Sequence, residues 1–226
     1  MITDRPAPAV LAERTVGGLH EHLLLKLREL PTGRGSLLDI GCGTGAWLAQ
    51  MRDSNLGFGR LVGIDQDPPP PMEAIEFHRV DLNRNTFDTS QKFDVVTCIE
   101  VIEHVENIGL LLDLIRNVLA KNGLAFITTP NVESLRARTR HWLSGRMPSF
   151  DEKSDLTHLC PILRDSLDKM LRRRGLQLQR TLQYPEDVNH SLMFRAGLRR
   201  LSAVLRLALP DRLFGDNVIH LVRHAA

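Results

Sequence analysis

Two carboxylates and an imidazole lie close together in the run Glu100-Val101-Ile102-Glu103-His104, and such side chains can bind a cation or move protons. If the chain becomes helical from Val101, then Glu100, Glu103 and His104 occupy positions i, i+3 and i+4, which share one helix face. Carboxylate oxygens suit Mg²⁺ or Mn²⁺, whereas the imidazole favours Mn²⁺, Fe²⁺ or Zn²⁺. The run therefore predicts a divalent-cation site formed by Glu100, Glu103 and His104.

His158 is the candidate fourth ligand of this cation. It lies 54 residues beyond His104 (158 − 104), in the run Asp155-Leu156-Thr157-His158-Leu159. Two other interpretations compete with a metal site. His104 and Glu103 act directly in acid–base catalysis, or they only pack within the fold. The sequence leaves these alternatives open.

A glycine-rich loop follows an apolar run at Leu37-Leu38-Asp39-Ile40-Gly41-Cys42-Gly43-Thr44-Gly45. Glycine permits left-handed backbone angles and lets a ligand approach the main chain closely. Thr44 is placed to cap a helix that begins at Ala46. The spacing is neither that of the pyrophosphate-binding Gly-x-G-x-x-Gly loop nor that of a P-loop, which makes a phosphate-binding enzyme less favoured.

A second apolar run, Arg60-Leu61-Val62-Gly63-Ile64-Asp65, ends in an acid 20 residues after Gly45 (65 − 45). Doubly wound folds place a ribose-binding carboxylate at about this distance. With this acid in place, the sequence resembles the class I S-adenosylmethionine-dependent methyltransferases, whose signature Asp/Glu-x-Gly-x-Gly-x-Gly is intact from Asp39 to Gly45. The resemblance covers roughly residues 35 to 130.

The resemblance implies an α/β fold, namely a Rossmann-like, seven-stranded, mostly parallel sheet with helices on both faces. It also implies that S-adenosylmethionine is the methyl donor. Asp39 would orient the glycine loop and the methionine amino group. Asp81 would hold the adenine amino group with Leu82 beside the ring, although Asp81 also suits a turn cap. The predicted cofactor-binding residues are Asp39, Gly41, Cys42, Gly43, Gly45, Asp65, Gln66, Asp81, Leu82 and Ile99.

The Glu-x-x-Glu-His pattern with a later histidine resembles two groups of methyltransferases. One group methylates catechols in ubiquinone biosynthesis, and the other methylates the 3′-terminal 2′-hydroxyl of small RNAs. A cation held by such side chains would orient two neighbouring hydroxyls and lower the pKa of one of them. We favour O-methylation of a small molecule of catechol, quinol or glycoside type, because RNA recognition uses stacking aromatics and only 5% of the residues are aromatic. A catalytically silent S-adenosylmethionine-binding interaction module is the alternative from another class.

Composition favours one soluble, cytoplasmic α/β domain that spans residues 1–226. The chain has 42% hydrophobic residues, a formal net charge of +2 and no run of about 18 to 20 apolar residues. Its N-terminal stretch lacks the apolar core of a signal peptide. The three cysteines, at positions 42, 98 and 160, lack metal-type pairing and are expected to stay reduced.

Hydrophobic periodicity predicts strands at 37–41, 61–65, 75–79, 94–99, 124–129, 176–183 and 217–223, with helices between them. An N-terminal helix is expected over 10–30. A second helix is expected to contain residues 110–119 and to end at Lys121-Asn122-Gly123. The family resemblance implies that the last strand is antiparallel. Two inserts, near 130–160 and 185–215, are expected on the acceptor side. The second has a basic amphipathic pattern that suits a lid, a peripheral membrane contact or RNA.

Overall fold

Strands and helices alternate along the computed structural model, which describes residues 15–30, 33–84, 87, 90–185 and 210–225. The helices are α1 Leu19–Glu29, α2 Ala46–Asp53, α3 Ile108–Val118, α4 Leu135–Ser144 and α5 Arg164–Arg172. The strands are β1 Ser36–Ile40, β2 Arg60–Asp65, β3 Ile75–Arg79, β4 Phe93–Ile99, β5 Leu119–Pro130, β6 Leu176–Tyr184 and β7 Asn217–His224. A 3₁₀ turn, Asp211–Leu213, precedes β7.

The strands form one seven-stranded sheet in the order β3-β2-β1-β4-β5-β7-β6. Strand β1 pairs in parallel with both β2 and β4, so the strand order reverses between β1 and β4. Strand β7 is antiparallel to β5 and to β6. The predicted fold class and the antiparallel last strand are therefore confirmed. Ligands of such sheets bind beyond the carboxyl ends of the strands at this switch point.

The central strands are apolar on both faces because helices cover both sides of the sheet. Leu37 and Val95 belong to one buried cluster, whereas their neighbours Leu38 and Val96 belong to the other. Successive side chains of a strand point to opposite faces, so the two clusters lie on the two sides of the sheet. This double burial holds the ends of β1 and β4, and the polar residues that follow them, in fixed positions.

Four local predictions need correction. Helix α3 ends at Val118, and Lys121-Asn122-Gly123 lies within β5, at the irregularity where the register with β4 passes from the Leu119–Phe93 pair to the Leu124–Val95 pair. Helix α2 has Gly45 as its N-cap, with no capping bond from a side chain. The segment after Glu100 forms a single turn, closed by the His104 amide on the Val101 carbonyl, and α3 begins only at Ile108.

The fourth correction concerns the N-terminal helix. Within the described residues it runs from Leu19 to Glu29, and residues 10–14 of the predicted span lie outside them. Residues 186–209, which carry most of the second predicted insert and its basic amphipathic pattern, also lie outside the described residues. In the described part of the chain, every helix is too short or too polar to span a lipid bilayer.

Candidate active site at the carboxyl ends of β1 and β4

The glycine loop between β1 and α2 adopts backbone angles that require glycine. Gly41, Gly43 and Gly45 have φ values of 74°, 51° and 77°. A Cβ atom on Gly41 would lie 2.3 Å from a methyl carbon of Val101. The amides of Gly41 and Cys42 both donate to the Ile64 carbonyl, which fixes the loop to the end of β2. The loop is thus held between β2 and the turn that follows β4.

A cavity of about 390 Å³ opens above this loop. Among the residues predicted to bind the cofactor, those that line it are Asp39, Gly41, Cys42, Gly43, Asp65, Gln66, Asp81, Leu82 and Ile99. Gly45, the N-cap of α2, is not part of the described lining. Glu100 and His104 also line the cavity, and the described lining includes neither Glu103 nor His158. One cavity therefore extends from the predicted donor residues to part of the predicted cation site.

The acids after β2 and β3 are fixed by backbone amides. Asp65 accepts a hydrogen bond from the Gly43 amide at 2.9 Å and one from the Asp67 amide at 2.9 Å. Asp81 accepts from the Asn83 amide at 3.0 Å and pairs with the exposed Arg84. Asp81 therefore forms the turn that the sequence alternative suggested, and it also faces the cavity.

Asp39, at the end of β1, is buried and has an unusual proton affinity. Its Oδ1 accepts a 2.7 Å hydrogen bond from the Thr97 hydroxyl. Burial raises the pKa of Asp39 to about 7, with a smaller upward contribution from the charge of Asp65, while the Thr97 bond opposes the rise. Near neutral pH this carboxyl group is thus divided between its acid and its carboxylate form.

Glu103, His104 and His158 come together beside the cavity, and one possible ligand atom from each lies within 4.8 Å of the others. The rings of His104 and His158 meet edge to face, with 4.6 Å between their centroids. Glu103 is fully buried, and its carboxylate oxygens have no hydrogen-bond partner of ordinary geometry in the described part of the chain. A buried carboxylate without a partner is costly, so this cluster suits a cation.

The Nε2 atoms of His104 and His158 have lone pairs that could bind such a cation. The Nδ1 atom of His158 lies 2.7 Å from the Ser149 carbonyl, and that of His104 lies 3.1 Å from the Thr157 carbonyl. A carbonyl only accepts, so the neutral rings carry a proton on Nδ1 and a lone pair on Nε2. Burial, helped by nearby His158, lowers the pKa of His104 and favours its neutral form. Burial raises the pKa of Glu103 to about 8, so without a cation this group is mostly protonated near neutral pH, and a bound cation would favour its carboxylate form.

Glu100 lies apart from this cluster, because other parts of the chain engage its carboxylate. Its Oε2 accepts from the Val16 amide at 3.0 Å, and its Oε1 accepts from the Asn217 side chain at 2.5 Å. Its backbone has a φ of 52°, and its amide donates to Thr128. The structure therefore brings together three of the four predicted ligands and uses the fourth to connect the N-terminal segment to β7.

Comparison with known proteins identifies the family to which the chain belongs. The sequence profile of a methyltransferase-domain family matches residues 13–181, about three quarters of the chain. The chain belongs to this methyltransferase family. The predicted relationship to class I S-adenosylmethionine-dependent methyltransferases is thereby confirmed.

Individual relatives of this methyltransferase domain share one third or less of their aligned residues with the chain. A ubiquinone biosynthesis O-methyltransferase of Glaesserella parasuis is 33% identical over 110 residues, which cover 42% of this chain and 45% of the relative. The chain spans about half or less of the length of the first curated relatives that it matches. A solved S-adenosylmethionine-dependent methyltransferase from Archaeoglobus fulgidus has the same fold, with a TM-score of 0.59, 19% identity and coverage of 90% and 93% of the two chains.

Several residues of this candidate site were not predicted from the sequence. Thr97 contacts the predicted residue Asp39, Thr157 contacts the predicted residue His104, and Trp47 donates to Thr97. Thr15 and His20 bring the N-terminal segment to the cavity. Thr97 had a signal, because it is a polar residue inside the apolar run Val95-Val96-Thr97-Cys98. The N-terminal residues had none, since their approach to the cavity depends on long-range packing.

Proposed function

We propose that this chain transfers a methyl group from S-adenosylmethionine to a hydroxyl group of a small molecule of catechol, quinol or glycoside type. The observation that carries this proposal is that one continuous cavity extends from Asp65 and Asp81 to His104. A cluster of Glu103, His104 and His158 lies next to it. The curated relatives named ubiquinone biosynthesis O-methyltransferase support oxygen as the acceptor atom.

The residues around the cavity fit the donor. When bound, S-adenosylmethionine supplies a methyl group already activated by a sulfonium, so the enzyme needs alignment and exclusion of water rather than its own nucleophile. Asp65 offers carboxylate oxygens for ribose hydroxyls, and Asp81 with Leu82 offers a polar and an apolar contact for adenine. Burial raises the pKa values of Cys42 and Cys98, which argues against a thiolate nucleophile at either position.

The Glu103, His104 and His158 cluster fits a divalent cation, which we propose is Mg²⁺ or Mn²⁺. One oxygen ligand and two imidazoles favour Mn²⁺ over Mg²⁺. When bound there, the cation would supply a Lewis acid that lowers the pKa of the acceptor hydroxyl. The chain's own residues orient the ligands, because Ser149 and Thr157 fix the two histidine rings. Without a cation, His104 remains the candidate general base, since it is neutral at pH 7 and faces the cavity.

An RNA 3′-terminal hydroxyl is the second candidate acceptor, favoured by α4. This helix carries Arg136, Arg138 and Arg140, and Trp142 near its end is 83% exposed. The three arginines, however, pair with Asp216, Glu133 and Asp151 respectively, and such pairing reduces their attraction for phosphates. The small-molecule acceptor therefore remains our proposal.

Calorimetric titration tests both the donor and the cation. S-adenosylmethionine and Mn²⁺ are titrated separately into the wild type, Glu103→Gln and His158→Ala, with the exposed His78→Ala as a matched control. We expect each cluster variant to lose at least about 10- to 100-fold in Mn²⁺ affinity, because this is the usual cost of removing even a partner of a ligand and each variant removes a ligand itself. His78→Ala should bind Mn²⁺ like the wild type, and all variants should bind the donor equally.

The outcomes separate the two parts of the proposal. Unchanged Mn²⁺ affinity in both cluster variants would overturn the cation site and leave His104 as the base. Absence of donor binding in the folded wild type would overturn the methyltransferase activity itself. Turnover on any acceptor would eliminate the interaction-module alternative.

A further inference from the structure

Three buried residues from three elements form a hydrogen-bonded chain below the cofactor cavity. The indole Nε1 of Trp47 on α2 donates to the Thr97 hydroxyl on β4 at 3.1 Å. Thr97 in turn donates to Oδ1 of Asp39 on β1 at 2.7 Å. Asp39 and Thr97 are neighbours across the parallel pair of β1 and β4, and all three residues are at most 3% exposed.

The direction of these bonds is fixed by the number of protons. Trp47 only donates, so it occupies an acceptor position of the Thr97 oxygen and leaves the single hydroxyl proton to be given away. The Leu38 carbonyl is the other acceptor within reach, at 3.4 Å, which is much longer than the 2.7 Å to Asp39. Thr97 is therefore an oriented donor to Asp39. With Oδ1 engaged, Oδ2 is the oxygen that a ligand in the cavity can use.

The family resemblance already implies that Asp39 orients the amino group of the donor's methionine part. We propose that Trp47 and Thr97 are positioning residues for this contact: they orient the Asp39 carboxylate so that Oδ2 receives the ammonium group, and its arrival releases a proton from Asp39 to solvent. This inference rests on the proposed function. It deepens that function by making cofactor binding dependent on pH.

The charges around Asp39 agree with this exchange. Its pKa of about 7, set first by burial and then by the negative charge of Asp65, means that about half of the unliganded molecules carry a proton there at neutral pH. A cation beside the group favours its ionised form. The other titratable groups that face this region are His20, which packs on Trp47, Cys42 on the loop, and Glu100, Asp81, His104 and Asp155 around the cavity.

The test compares two ligands that differ in the amino-acid part. S-adenosylhomocysteine carries the ammonium group, and 5′-methylthioadenosine has the same nucleoside and thioether but no amino-acid part. For the wild type we expect the first ligand to bind about eightfold more weakly near pH 6 than near pH 7.5, as Asp39 must lose a proton first. Calorimetry in two buffers near pH 7 should show release of about half a proton. The affinity for 5′-methylthioadenosine should not change with pH.

Variants separate positioning from packing. Thr97→Val should weaken S-adenosylhomocysteine binding near pH 7.5 and move its pH dependence to higher pH, because Asp39 loses a bond that favours its ionised form. Thr97→Ser should restore wild-type behaviour, and Trp47→Phe should lie between the two. Trp142→Phe, on the exposed surface, and Thr181→Val, beside His220, are the matched controls and should match the wild type.

Equal affinity of the wild type for S-adenosylhomocysteine at the two pH values would overturn the inference. An equal loss of affinity for both ligands in Thr97→Val would also overturn it, because that result indicates packing alone. Failure of both ligands to bind the wild type would instead overturn the proposed function.

Discussion

At the scale of single residues, Asp65 links the glycine loop to the proposed ribose site. It accepts the Gly43 amide, and it lies in the cavity at the end of β2. The same carboxylate therefore shapes the loop and is available to a ligand.

Asp65→Asn should weaken S-adenosylmethionine binding by roughly 10- to 100-fold, since a hydrogen bond to a charged group contributes about 1.5 to 3 kcal/mol. Asp67→Asn is the matched control, because this neighbouring acid is exposed and paired with Arg79. Direct titration of the donor measures both. Equal affinities in the two variants would contradict the role given to Asp65.

The site residues that the sequence predicted well are those whose positions depend on the neighbouring strand alone. Asp39 and Asp65 lie at the ends of the apolar strands β1 and β2, and Asp81 follows the more polar β3. The carboxyl ends of parallel strands meet at one edge, so these acids could be placed together. Glu100 was harder, since its position depends on Val16 and Asn217, which are 84 and 117 residues away. The helical spacing proposed for residues 100–104 is absent, yet Glu103 and His104 still meet His158 because the turn after β4 and the loop before α5 approach each other.

At the scale of elements, the β1–α2 loop depends on the absence of a side chain at Gly41. Gly57 provides a natural comparison, because its φ of 77° is also left-handed, close to the 74° of Gly41, but an added Cβ would meet nothing within 4 Å. Strain of the left-handed conformation is thus common to both positions, whereas the clash with Val101 belongs only to Gly41.

Gly57→Ala should lower the free energy of unfolding by about 1 kcal/mol, which is the cost of left-handed backbone for a residue with a Cβ. Gly41→Ala should cost more and should also displace the loop and weaken donor binding. Urea unfolding and donor titration measure the two effects. A smaller loss of stability in Gly41→Ala than in Gly57→Ala would contradict the close packing of the loop.

Strands were predicted more accurately than helix ends. The apolar runs of β1, β2 and β4 are unbroken, so their periodicity is clear. The end of α3 was misplaced because Lys121-Asn122-Gly123 is typical of a helix stop, while sheet pairing extends β5 back to Leu119. The pairing of Leu119 with Phe93 thus begins the strand before the predicted stop.

At the scale of the whole molecule, the position of β7 between β5 and β6 buries His220. The ring contacts the Thr181 hydroxyl at 3.0 Å, and burial, assisted by the charge of Arg164, lowers its pKa to about 4. In the unfolded chain the same group titrates near 6.5. Between these values the unfolded chain binds a proton that the folded protein does not, so stability falls as pH falls.

Relative to His220→Gln, the wild type should therefore lose up to about 3 kcal/mol more unfolding free energy between pH 6.5 and 4. The difference between the two proteins is the required quantity, because the raised pKa of Asp39 acts in the opposite direction over this range. Chemical unfolding at a series of pH values measures it. Parallel pH profiles would contradict the buried neutral state of His220.

The central claim is that the cavity and the cluster together methylate a hydroxyl group. The most direct measurement follows the carbon-13-labelled methyl group of S-adenosylmethionine by NMR, with Mn²⁺ and a panel of catechols, quinols and glycosides. We expect a methoxy signal on an acceptor, equal in amount to the S-adenosylhomocysteine formed and greatly reduced in Asp65→Asn and by a metal chelator. Donor binding without a methoxy signal on any hydroxylated acceptor, or a label on nitrogen or carbon, would contradict the claim.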